Sequence, residues 1–164
     1  MKRSNGTIII ILFLGLLSCK KYEDGPCISF RKAKNKIVAE WQVESFSINN
    51  VDNTSLYQST CNCNFKFEAK YTTGFDPNIF YFTNCKGFAN EIIGDYDFAD
   101  NNKILKTNPG RVKLTDEKDT SIHYIGPIGS ERFTEWQIKR LTKKELWIET
   151  NYYNTDYFVK LKSD

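Results

Sequence analysis

The sequence predicts an all-β domain, an up-and-down antiparallel barrel of about eight strands with a short helix ahead of it. Three observations predict it. Apolar and polar residues alternate in Phe65-Lys66-Phe67-Glu68-Ala69-Lys70-Tyr71, and the same rhythm returns in Trp41-x-Val43, Tyr96-x-Phe98, Trp136-x-Ile138, Leu146-x-Ile148 and Tyr157-x-Val159-x-Leu161. A period of two is the mark of a strand with one buried face. Turn signals divide these runs at Asp100-Asn101-Asn102, Asn108-Pro109-Gly110, Thr142-Lys143-Lys144 and Asn154-Thr155. The runs also follow one another at hairpin spacing, and sequential hairpins with one apolar face close their edges by rolling into a barrel. An antiparallel sandwich is the alternative arrangement of the same strands.

The chain opens with a different kind of segment. Lys2 and Arg3 precede an apolar run from Thr7 to Leu17, and small Ser18 stands directly before Cys19. A charged start, an apolar stretch and a small residue at the end are the parts of a secretory signal. At 1.5 Å per residue the run spans about 16 Å, roughly half of a ~30 Å hydrocarbon core, so it is too short for an ordinary transmembrane helix. Leu16-Leu17-Ser18-Cys19 resembles the lipobox of bacterial lipoproteins. The resemblance implies cleavage before Cys19, a diacylglycerol on its sulfur and an acylated new amine. Residues 1–18 are then a lipoprotein signal peptide, 19–28 a lipidated tether and 29–164 the barrel domain.

That reading sets the compartment. Losing Lys2 and Arg3 leaves 21 basic side chains of the original 23 against 20 acidic ones, a net charge of +1. No basic stripe with interleaved aromatics runs through the chain, so no nucleic-acid partner is expected. In Lys20-Lys21-Tyr22-Glu23-Asp24-Gly25-Pro26, a lysine near two acids resembles the tag that sends some Gram-negative lipoproteins to the cell surface, with Tyr22 interrupting it. No aspartate directly follows Cys19, the signal that commonly retains lipoproteins in the inner membrane. The expected location is the outer membrane, anchored by lipid, with a periplasmic or surface-facing body.

A helix is expected within 29–38, with Ser29 as its cap and Arg31, Lys32, Lys34 and Lys36 on an exposed face. Strands at 63–71 and 79–85 then form a hairpin across Thr72-Thr73-Gly74-Phe75-Asp76. Beside Cys19 there are four cysteines, and in an oxidising compartment disulfides are their default, with three possible connectivities. Centring the hairpin on Gly74 sets Cys63 opposite Cys85, within disulfide reach. A centre one residue away pairs Cys61 with Cys85 instead. The first leaves Cys27 and Cys61 to staple the N-terminal segment to the barrel. Metal binding by Cys61-x-Cys63 with Cys85 is the competing use; a lone CxC is poor zinc chemistry, and no metal or cofactor is expected.

A short helix running into Ala39-Glu40-Trp41, followed by a meander of strands, resembles the lipocalin-like lipoproteins of Gram-negative envelopes. Cys19-Lys20-Lys21-Tyr22-Glu23-Asp24-Gly25-Pro26 with Ile28-Ser29-Phe30-Arg31, and the strands Glu145–Glu149 and Tyr157–Leu161, add to the likeness. The lipocalin hallmark is Gly-x-Trp, and Ala39 stands at its glycine. The resemblance implies that Trp41 closes the barrel floor with an arginine from a late strand across it, for which Arg140 is the candidate.

Catalytic chemistry finds no support. His123 is the single histidine, and no Gly-x-Ser-x-Gly elbow accompanies it. Asp95 and Asp97 flank Tyr96 and read as solvated carboxylates on a polar face. The expectation is a non-enzyme. Twelve Phe, nine Tyr and three Trp fill the chain, and an eight-stranded barrel is just wide enough either to be filled by side chains or to hold one small ligand. A hollow barrel would bury a small apolar or amphipathic ligand against Trp41, Phe65, Phe67, Tyr96, Phe98, Trp136 and Tyr157. A filled barrel would instead serve as a protein- or glycan-interaction module, with loops 49–60, 72–78 and 107–132 in contact. Phe80, Phe82 and Trp147 fall on the opposite parity from the presumed core and are expected on the outside.

Overall fold

A computed structural model describes residues 22–23, 32–69, 78–86, 91–113, 125–130 and 132–164. The order of elements is α1 (Ala33–Ile37), β1 (Ala39–Ile48), β2 (Val51–Asp52), α2 (Thr54–Thr60), β3 (Asn64–Glu68), β4 (Asn78–Thr83), β5 (Glu91–Ala99), a 3-10 turn (Asp100–Asn102), β6 (Ile104–Lys113), β7 (Thr134–Leu141), β8 (Glu145–Tyr152) and β9 (Thr155–Lys162).

From β3 to β9 each strand pairs antiparallel with the next, and β1 closes the ring by pairing with both β3 and β9. Eight strands therefore form a closed up-and-down barrel, which excludes the sandwich. β1 does two jobs because it bends. Ala39–Trp41 pair with β3, Gln42–Ile48 pair with β9, and the register shifts between Val43 and Ser45. β2 is a short hairpin partner on the outer end of β1.

The lower end is closed by α1. Ala33 and Ile37 are buried, Trp41 Nε1 donates to the Ile37 carbonyl at 2.8 Å, and the buried Lys36 Nζ donates to the Leu141 carbonyl at 3.3 Å. The helix is shorter than the span read from sequence, and Ser29 lies outside the described residues. At the opposite rim, α2 lays Tyr57 against Phe46 with ring centroids 5.4 Å apart, and the Tyr57 hydroxyl donates to the Cys63 carbonyl. The turn 125–130 also tucks into this rim, with Ile128 fully buried.

The β3–β4 register corrects one expectation. Phe65 stands opposite Phe82 and Phe67 opposite Phe80, half a residue from a hairpin centred on Gly74. Because side chains alternate, a one-residue change in pairing moves a whole strand's set to the other face. Phe80 and Phe82 are therefore core residues, 0% and 1% exposed. Cys63 and Cys85 are nonetheless bonded. Asn84, with φ of 54°, takes a left-handed step between Thr83 and Cys85 and restores their opposition. A second correction concerns Asn108-Pro109-Gly110, which lies inside β6 and not in a turn. It forms a bulge facing Gly94, where a Cβ would sit 2.1 Å from the Asn108 carbonyl oxygen, so the approach of the two strands requires glycine there.

Candidate functional site

The residues expected to line a cavity do come together, and they fill the space themselves. Trp41, Phe65, Phe67 and Trp136 are at most 1% exposed and Tyr96 is 3% exposed; Phe98 and Tyr157 are partly buried against the same core. The rings of Phe65, Phe67, Phe80, Phe82, Tyr96, Phe98 and Trp136 touch as a continuous set. Phe65 lies 5.0 Å from Phe82 and 6.3 Å from Trp136, Phe67 lies 5.0 Å from Phe80 and 5.1 Å from Tyr96, and Tyr96 lies 6.1 Å from Phe98. These are edge and tilted contacts at the separations aromatic pairs prefer. The indole of Trp136 donates to Thr107 Oγ1 at 3.1 Å, so both buried tryptophans have their N–H satisfied inside the barrel.

The rim is occupied as well. Gly126 has φ of +58°, and a Cβ on it would fall 2.4 Å from the Tyr157 ring. The turn therefore presses its backbone onto Tyr157, which in turn sits 6.1 Å from Phe46. Around this rim stand four exposed large apolar residues: Val51, Leu56, Phe133 and Tyr153. Arg132 lies over the Tyr153 ring and donates to its hydroxyl. The turn after β1 meets the turn before β9, where Asp156 N donates to Asn49 Oδ1 at 3.0 Å.

Outside the barrel, a groove of about 360 Å³ runs over β7, β8 and β9, lined by Asn50, Gln137, Glu149, Asn151, Asp156 and Phe158, with Thr150 and Tyr157 between them. Gln137, Glu149 and Phe158 form one cross-strand row. Asn151 Nδ2 donates to Asp156 Oδ1 at 2.7 Å, and Glu149 pairs with Lys139 at 2.8 Å. Lys139 is held charged, raised above the ordinary lysine value by Glu149 first and by Glu23 second. Sequence reasoning missed this groove because outward polar residues on strands look alike whether or not they converge.

Arg140 does not take the place that the resemblance implied. The register of β7 shifts between Ile138 and Arg140, which turns the arginine outward. Its guanidinium lies 5.1 Å from the Trp147 ring centroid and its Nε donates to Glu145 at 2.8 Å. Trp147 is outward, as expected. Asp97 is exposed beside inward Tyr96, again as read. Cys61 is a buried free thiol, so the bridge expected between it and Cys27 is not made at the Cys61 end; Cys27, Cys19 and His123 lie outside the described residues. Burial pushes the Cys61 thiol up to about 11.

Among the described residues no three metal-ligating side chains gather, and no helix is long and apolar enough to cross a membrane. No family profile and no curated protein matches the chain. Among solved structures it is similar to a lipocalin-like protein from Bacteroides uniformis, with 12% identity over 79% of this chain and 99% of that one and a TM-score of 0.40. The closed ring of eight antiparallel strands, each paired with its sequence neighbour and sealed by β1 on β9, gives this chain a lipocalin-like barrel fold.

Proposed function

We propose that this chain is a lipid-anchored envelope lipoprotein whose filled barrel works as an interaction module. The observation that carries the choice between a hollow and a filled barrel is the aromatic interior. Trp41, Phe65, Phe67, Phe80, Phe82 and Trp136 occupy the space a ligand would need, each at most 1% exposed. Small-molecule sites are concave and largely pre-formed, and among the described residues these packed rings leave no such space between them.

Contacts then fall to the rim and the wall beside it. Val51, Leu56, Phe133 and Tyr153 give the rim exposed apolar anchors, and the neighbouring groove supplies amides and carboxylates around Phe158. Apolar anchors edged by hydrogen-bonding groups suit a protein or glycan partner. The lipid anchor rests on Cys19 and the leader before it.

Native mass spectrometry of the mature lipoprotein with added palmitate tests the filled interior. The expected spectrum has no palmitate complex and no co-purifying apolar molecule. A stoichiometric complex abolished by Phe67→Ala would overturn the filled barrel in favour of a ligand carrier. The intact mass of the same sample reads acylation at Cys19.

A further inference from the structure

Of the three tryptophans, Trp41 and Trp136 are sealed inside the barrel and Trp147 lies on its outer face, partly exposed, with its indole N–H buried. Arg140, Trp147 and Lys160 stand directly opposite one another on β7, β8 and β9. The Lys160 ammonium lies 4.2 Å from the indole centroid and the Arg140 guanidinium 5.1 Å from it. Exposed Lys143 and Lys144 continue the patch in the turn between β7 and β8, and exposed Lys162 continues it along β9. Glu145 answers Arg140, and Glu149 and Glu23 answer Lys139. Among the described residues, Lys143, Lys144, Lys160 and Lys162 make no ion pair with an acidic side chain. An outward indole edged by lysine and arginine has the composition of a membrane–water interface, where the ring sits among headgroups and the cations reach phosphate.

The tether brings the same wall to the bilayer. Tyr22 is 5% exposed, and the Glu23 carboxylate sits 2.8 Å from Lys139 Nζ, next to Arg140 in sequence. Tyr22 stands three positions after Cys19, and three fully extended residues reach at most about 10 Å. If Cys19 carries acyl chains, Tyr22 is held within about that distance of the surface, comparable to the roughly 5–8 Å depth of a headgroup layer.

We infer that the outer wall around Trp147, with Arg140, Lys143, Lys144 and Lys160, docks on the anionic phospholipid surface that holds the Cys19 lipid; this inference rests on the lipoprotein reading above. The barrel is then oriented, with its rim of Val51, Leu56, Phe133 and Tyr153 turned toward solvent. Anionic headgroups attract such a patch over no more than a Debye length, which the tether does not exceed.

The test places the full mature lipoprotein in vesicles of brominated phosphatidylglycerol and follows tryptophan emission. Buried Trp41 and Trp136 are out of reach of the bromines, so quenching reports Trp147. The expected result is quenching that is lost in Trp147→Phe, and lost again when Lys143, Lys144 and Lys160 are all replaced by Glu with the indole intact. Acylated protein that shows no quenching, or the same quenching in Trp147→Phe, overturns the docking and leaves the anchor standing. A mature chain whose intact mass shows no acyl group at Cys19 overturns the lipoprotein reading and the docking with it.

Discussion

Phe65 and Phe82 face each other across β3 and β4 with ring centroids 5.0 Å apart and planes at 77°. Phe65 also touches Phe80 at 6.0 Å and Trp136 at 6.3 Å. The pair thus ties the hairpin to the far wall of the barrel. Phe82→Ala empties a fully enclosed position, and the expected cost is about 3–5 kcal/mol. Urea unfolding followed by tryptophan emission checks it; a change near zero would place Phe82 outside the core.

Gly126 carries the turn 125–130 onto Tyr157. Gly126→Ala puts a methyl group where the Tyr157 ring already is and asks alanine for φ of +58°. The expected loss is about 1–3 kcal/mol, felt first at the rim. Amide exchange is the direct readout: the Ile128 amide, which donates to the Ile125 carbonyl at 3.2 Å, should lose protection while β8 and β9 keep theirs.

Cys61 differs from its neighbours in chemistry. Its thiol is buried and raised to about 11 by desolvation, whereas Cys63 and Cys85 are joined. The thiolate is the reactive form, so Cys61 should resist iodoacetamide at neutral pH in the native protein and react once the chain is unfolded without reductant. Cys63 and Cys85 should react only after reduction. Peptide mapping separates the cases, and a peptide linking Cys27 to Cys61 would show the second bridge.

Tyr22 makes the packing of the segment ahead of α1 sensitive to alkali. Burial raises its phenol from 10.0 to about 12. A folded pKa above the unfolded one means that this contribution is whole below pH 10 and fades as the pH climbs through 12. Phenolate absorbance should show a late-ionising tyrosine that disappears in Tyr22→Phe, while Tyr57, also raised by its burial, continues to lag. An unchanged titration in Tyr22→Phe would mean the phenol is solvated.

Much of the fold was legible because a half-buried strand writes its period into the residues. β3, β7, β8 and β9 follow their alternation, and the packed residues Trp41, Phe65, Phe67, Tyr96 and Trp136 were read from it. The failures have physical causes. The hairpin centre lies half a residue from Gly74, a one-residue change in pairing, and alternation converts that small shift into the opposite face for Phe80 and Phe82. Bulges do the same, as the shift after Ile138 turned Arg140 away from Trp41. α2 carries no helix signal in the sequence because Thr-Ser-Leu-Tyr-Gln-Ser-Thr has little intrinsic helix preference; its one buried side chain, Tyr57, packs it against Phe46. Whether the barrel was hollow had no signature at all, since the aromatics of a filled core and of a cavity wall obey the same pattern.

The seam between β1 and β9 also fixes an order of events. Every other strand in the ring finds its partner soon after it is made, but the second half of β1 waits for β9, and the Asp156–Asn49 bond across that seam spans 107 residues. Contacts so distant in sequence slow folding, and an unpaired edge is a template for aggregation while it waits. Until β9 is available, the chain is an open, sticky ribbon. Ring closure should therefore be the slow step of folding, and the step at which a holdase chaperone matters most.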